Sequence, residues 1–318
     1  VIAKAVISDG AVAGGAVGRV VSRTLGRAPA GGLVVAGLCG LQGGAALATR
    51  LYPAVGIGGV VSLRLCLAAA VLCALWRPGL LRERGTGLRR EPGTLGLIAA
   101  AGTLLAIHHL TYYNAVARLP LGAATTVEFL GPFALALAGS RRGADLAWAL
   151  LALTGVALLG GGGLALNAVG LGFAAVAGAC WAGYILVSAR LAHRVRDGGA
   201  LALAVTWGAL LSLPFGLASG GTALLKPWVL ALGLAVAVLS SVLPYSFQFE
   251  AIRRLPAGVF GILTSLEPAL GAVVGLLFLD QRLAAVQWIG IAAVASASAG
   301  ATRPGGRPSS RPSPRPSL

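Results

Sequence analysis

Two carboxylates stand in stretches that otherwise read as hydrocarbon: Glu128 in TTVEFLGPFALAL and Glu267 in GILTSLEPALGAVVG. An ionisable side chain near a bilayer centre costs roughly 2.5–3.5 kcal/mol on insertion scales, so each needs a partner or a wet cavity. Glu128 lies about nine residues into its apolar segment and Glu267 about twelve into its own, which at about 1.5 Å per residue puts both near the midplane. A carboxylate there can hold a substrate ammonium or carry a proton; the structural alternative is a hydrogen bond to a neighbouring helix. Each is close to a proline, Pro132 after Glu128 and Pro268 directly after Glu267. Pro132 and Pro268 are therefore candidate helix breaks, since proline frees a carbonyl one turn earlier that can line a cavity.

Arg64, in VVSLRLCLAAAV, is the one arginine well inside an apolar segment. Its planar fork suits a carboxylate, either a midplane glutamate or an anionic group on a substrate. The alternatives are snorkelling to the periplasmic interface and a permanent ion pair. His108 and Tyr112 are one turn apart and share a helix face, which reads as a polar wall with a titratable imidazole. His109 and Tyr113 read instead as part of an interfacial aromatic belt. Gln42, Trp181 and Tyr184 complete the candidate substrate-binding or proton-coupling set.

Other chemistries find little support. Adjacent histidines point in different directions on a helix and no HExxH spacing exists, so no metal is expected. Cys39, Cys66, Cys73 and Cys180 lie in apolar stretches without close Cys or His partners and read as packing residues. The run Gly160 to Gly163 ends an apolar segment with no following P-loop lysine. No nucleophile-like constellation emerges, so neither an enzyme nor a cofactor is expected.

The elements that position these residues follow from composition. The 318-residue chain is 57% hydrophobic, with mean hydropathy +0.86 and 11% charged residues, against roughly 25% charged in soluble domains. That excludes a soluble globular protein. The net charge of +16 raises nucleic acid as a partner; yet the arginines flank apolar runs of about twenty residues, the length that spans a bilayer, and no nucleic-acid partner is expected. Ten such segments are marked: 31–49, 56–76, 94–117, 119–140, 144–163, 168–190, 200–219, 228–250, 255–279 and 284–302. Residues 1–30 form a basic, Gly-rich N-terminal segment, expected to be disordered, without the compact apolar core of a signal peptide. Residues 303–318 form a Pro/Ser/Arg tail expected to be disordered.

Basic residues concentrate in alternate connections. Lys4, Arg19, Arg23 and Arg27 precede the first segment; Arg77, Arg82, Arg84, Arg89 and Arg90 follow the second. The pattern continues with Arg141 and Arg142, with Arg190, Arg194 and Arg196, with Arg253 and Arg254, and with the tail. The intervening connections hold only Arg50, Arg118, Lys226 and Arg282. Because Lys and Arg mark the cytoplasmic side, ten spans with both termini inside are expected, in a bacterial inner membrane.

The chain also repeats itself. At an offset of 136 residues, Ala115, Arg118, Leu119, Pro120, Gly122 and Pro132 match Ala251, Arg254, Leu255, Pro256, Gly258 and Pro268. The offset corresponds to five spans, and an odd number inserts the second copy upside down, as in many secondary transporters. The expected fold is all-α: two inverted five-helix repeats over 31–163 and 168–302.

Three stretches carry a resemblance. They are LQGGAALATRLYPAVGIGGVVSLRLCLAAAVLCALWRPGLL, YYNAVARLPLGAATTVEFLGPFALAL and LPYSFQFEAIRRLPAGVFGILTSLEPALGAVVGLLFLDQRL. Together they resemble the EamA-type drug/metabolite transporter superfamily, and within it are most similar to the inner-membrane threonine/homoserine exporter group. The resemblance spans residues 33–302, and its E-F-x-G-P and S-x-E-P segments are more specific than hydropathy. It implies a carrier that exports small amphipathic amino acids against protons by alternating access, with Gln42, His108, Tyr112, Glu128, Trp181, Tyr184 and Glu267 lining its cavity. The alternatives are a drug, sugar or nucleoside transporter of the same superfamily, and a non-transporting or lipid-handling membrane protein. Expected partners are a small-molecule substrate, protons and membrane lipids, with a homodimer as an assembly to test.

Overall fold

The computed structural model describes residues 28–76, 93–138, 144–160, 167–194, 199–244, 247, 251, 254–255 and 257–301. The basic residues 1–27, the connections carrying Arg77 to Arg90 and Arg141–Arg142, Gly161 to Gly163 and the tail from 302 lie outside the described residues. Among the described residues every regular element is helical and there is no strand.

The helices are α1 (Ala30–Thr49), α2 (Tyr52–Trp76), α3 (Thr94–Val116), α4 (Leu121–Ala138), α5 (Ala144–Gly160), α6 (Ala168–Arg194) and α7 (Gly199–Gly220). They are followed by α8 (Pro227–Ala237), α9 (Ala257–Thr264), α10 (Glu267–Leu279) and α11 (Ala285–Ala301). Among the described residues, six stretches are long and apolar enough to cross a membrane: Ala30–Thr49, Tyr52–Ala74, Thr94–Val116, Ala168–Leu191, Gly199–Leu225 and Ile262–Leu279. Shorter apolar helices run over Leu121–Leu135, Leu146–Leu159, Pro227–Val242 and Ala285–Gly300. Helix is the outcome physics requires, because a backbone group without a partner in hydrocarbon costs several kcal/mol and a helix pairs its own. Large apolar side chains such as Leu146, Leu150, Leu153, Leu277 and Phe278 point outward, as a lipid-facing surface demands.

Small residues let the helices close up. α2 packs along α7, α3 along α6 and α7, α5 along α11, and α4 against both α6 and α10; α1 packs against α8 and α10. At the α5–α11 contact, a Cβ on Gly155 would lie 2.6 Å from the Gly290 carbonyl, and one on Gly290 would lie 2.5 Å from the Gly155 carbonyl. Neither position has room for a side chain.

Three irregularities shape the interior. Gly56, at φ 65°, kinks the start of α2, a backbone conformation that glycine adopts without strain. α8 continues into a π-helical turn over Val238–Val242. The segment at 255–279 is two helices, α9 and α10, parted at Ser265 and Leu266, with Pro268 in the first turn of α10. The helix is thus interrupted just before Glu267. Pro132, by contrast, sits inside an uninterrupted α4. The carbonyl it frees, that of Glu128, packs against α6: a Cβ at Gly178 would strike it. Pro132 thus serves a close helix contact and does not break its helix.

Candidate functional site

Glu128 and His108 meet inside the bundle. The Nε2 of His108, on α3, lies 2.5 Å from Oε1 of Glu128, on α4. The imidazole is held in place by aromatic neighbours: Tyr112 lies parallel to it at 6.0 Å and Trp181 of α6 at 5.1 Å between ring centres. His109 turns the other way and donates from Nδ1 to the Leu105 carbonyl at 2.6 Å. That bond fixes its tautomer and leaves Nε2 as the acceptor nitrogen.

Arg64 lines the same cavity. It is 5% exposed, donating from Nη1 to the Tyr113 hydroxyl at 3.1 Å and from Nη2 to the Ser240 carbonyl at 3.0 Å. Ser240 belongs to the π-helical turn, and such turns displace backbone carbonyls from the regular ladder. The Tyr113 ring lies 5.7 Å from the guanidinium, within cation–π range. Tyr52 steadies this tyrosine from below, its hydroxyl donating to the Tyr113 carbonyl at 3.2 Å. Nε of Arg64 is buried without a hydrogen-bond partner.

Glu267 stands in the first turn of α10, beside the break. Gln42 of α1 is fully buried and donates from Nε2 to Glu267 Oε1 at 3.4 Å. Thr125 lies 3.4 Å from the Gln42 carbonyl oxygen and 3.3 Å from the Tyr112 hydroxyl. A polar chain therefore runs from Tyr112 through Thr125 and Gln42 to Glu267.

These groups surround a single cavity with an empty volume of about 770 Å³, part of it open to the exterior. Arg64, His108, Tyr112, Glu128, Trp181 and Glu267 line it. Gln42 stands behind Glu267, and Tyr184 stacks on Trp181 at 5.3 Å, outside the lining. No group of three His, Cys, Asp or Glu side chains among the described residues is arranged to hold a metal.

Two expectations are corrected. His109 and Tyr113 do not form an interfacial belt; both are buried, because α3 has neighbours on both of its polar faces. Arg64 does not snorkel, and among the described residues its partners are a hydroxyl and a backbone carbonyl, with no ion pair. Thr125 and Ser240 also line the cavity and were not among the candidates. The signal for Thr125 was its place about one turn before Glu128. For Ser240 no side-chain pattern signals a displaced carbonyl.

Residues 168–303 match the EamA-like transporter family. The chain is 39% identical over 273 residues to the threonine/homoserine exporter RhtA of Escherichia coli K12, covering 85% of this chain and 90% of that protein. It is 40% identical over 265 residues to RhtA of Salmonella typhimurium LT2, covering 82% and 87%. A 134-residue stretch is 31% identical to the uncharacterized transporter YcbK of Bacillus subtilis, covering 40% of this chain and 43% of that one. A solved crystal structure with 23% identity superposes with a TM-score of 0.55, covering 85% of this chain and 96% of its own, which supports the helical fold alone.

Proposed function

The chain belongs to the EamA-like transporter family, and on that basis we propose that it exports small amino acids of the threonine and homoserine kind across the bacterial cytoplasmic membrane, exchanging them for protons by alternating access. It is a multi-pass membrane protein and not an enzyme. The observation that carries the substrate proposal is the 39% identity to a threonine/homoserine exporter across 90% of that exporter's length. The cavity supplies the chemistry a zwitterion needs: carboxylates at Glu128 and Glu267 and a guanidinium at Arg64.

The architecture proposed is ten membrane-crossing segments in two inverted repeats, 31–163 and 168–302, with both termini cytoplasmic. The pairing of helices supports it. Advancing every segment by five, with α9 and α10 counted as one, turns the α3–α6 contact into α8–α1, α4–α6 into α10–α1, and α3–α7 into α8–α2; the α2–α7, α4–α10 and α5–α11 contacts turn into themselves. That is the pattern expected of a pseudo-two-fold axis through the bundle. Arg50 and Lys226 fall on the periplasmic side of this topology, Arg190 and Arg194 on the cytoplasmic side. An axis of this kind provides two equivalent ways to close the bundle, which is how inverted-repeat carriers open alternately to each side.

Coupling follows from competition. If a proton and the substrate ammonium compete for the same carboxylates, a loaded cavity releases its proton on one side and its amino acid on the other. The His108–Glu128 pair suits this role because an imidazole in contact with a carboxylate can pass a proton to it. Loading cells with a panel of amino acids and measuring release tests the reading. Faster exit of threonine and homoserine in the presence of this protein supports it, and unchanged exit of every amino acid in the panel contradicts it.

A further inference from the structure

We infer that Arg64 is the anchor for the carboxylate of the transported molecule, and that a free carboxylate therefore decides what this protein accepts. The inference rests on the exporter reading above and deepens it. Guanidinium does not deprotonate in proteins, so Arg64 keeps its positive charge although it is 5% exposed. A buried charge normally sits against a counter-charge. Among the described residues Arg64 has none: its two hydrogen bonds go to neutral oxygens, the Tyr113 hydroxyl and the Ser240 carbonyl.

The acidic groups that share the cavity wall are engaged elsewhere. Glu128 is paired with His108 and Glu267 accepts from Gln42. His109, the other titratable group beside them, spends its Nδ1 proton on the Leu105 carbonyl. Among the described residues no carboxylate is hydrogen-bonded to Arg64.

Its free valence has the right shape. Nε is buried and unpartnered, and each Nη uses one of its two hydrogens on the bonds named above. A guanidinium is planar and can donate two parallel hydrogen bonds to a carboxylate. The two existing bonds come from α3 and from the turn after α8, so the guanidinium is held from two directions before any ligand arrives. A pre-oriented guanidinium in a cavity wall suits an anionic planar group. An ammonium, a sugar hydroxyl or an amide carbonyl would leave the charge uncompensated.

Thermal unfolding of the purified full chain in detergent tests the inference, because a ligand that binds the folded state raises the midpoint. The probes are L-threonine, L-homoserine and L-threoninamide, the last keeping the ammonium and hydroxyl while losing the carboxylate. Threonine and homoserine are expected to stabilise at concentrations at least tenfold lower than the amide. Arg64→Gln is expected to erase that difference, and Arg64→Lys to keep part of it. Equal stabilisation of the wild-type protein by acid and amide, or none by either, overturns the inference; this comparison needs no variant to fold. A protein that is stabilised by the free acids and yet releases no amino acid from loaded cells would refute the exporter reading and leave the Arg64 assignment standing.

Discussion

The Arg64 guanidinium donates to the backbone carbonyl of Ser240, 176 residues further along the chain, at 3.0 Å. This bond ties α2, in the first half of the sequence, to the π-helical turn after α8, in the second. The cavity is walled by both halves, so a movement of one half against the other changes the distance between Arg64 and Glu267.

The His108–Glu128 contact predicts a shared phenotype. Glu128→Gln keeps the shape and should reach the membrane at normal levels, yet lose proton-driven export by at least tenfold while still exchanging labelled for unlabelled substrate. His108→Gln should do the same. If the two act as one unit, the double variant is no worse than either single one, as a double-mutant cycle of export rates would read.

Glu267→Gln tests the second carboxylate separately. Gln42 already donates to one of its oxygens, leaving the other for an ammonium or a proton. Loss of both export and exchange assigns it to ammonium binding. Loss of export alone assigns it to the proton. Wild-type rates with unchanged pH dependence in both glutamate variants would make the carboxylates structural.

At the α5–α11 contact, Gly290→Val places a side chain where a Cβ alone would stand 2.5 Å from the Gly155 carbonyl. Overpacking of a tight contact typically costs about 1–3 kcal/mol. The unfolding midpoint of the purified variant should fall by several degrees, and an unchanged midpoint would mean that α11 does not pack on α5 this closely.

The proposed topology predicts labelling sides. In a background without the four native cysteines, a cysteine at position 50 or 226 should react with an impermeant reagent from outside intact cells, and one at 84 or 194 should not. Outside labelling at position 84 would break the ten-segment arrangement.

How much of this was legible beforehand differs residue by residue. Glu128, Glu267 and Arg64 announced themselves because a charge in an apolar run needs a reason, and the break at Pro268 followed from the chemistry of proline. The pairing of His108 with Glu128 was not legible, since it depends on how α3 and α4 pack and not on either segment alone. His109 and Tyr113 misled because a position along a helix does not reveal what lies beside it. His108 and Tyr112 face α4 and α6, while Tyr113 faces Arg64 and Tyr52 of α2, so α3 carries functional-looking side chains on two sides. The Ser240 carbonyl was beyond reach, being a backbone group exposed by a local helix irregularity.

The central claim, proton-coupled amino-acid export, is tested most directly in vesicles holding the purified protein, loaded with labelled threonine under an inwardly directed proton gradient. Threonine efflux should accelerate several-fold over the same vesicles without a gradient, accompanied by proton entry, and both should be lost in Glu128→Gln. Efflux that ignores the gradient and moves no protons would contradict the account.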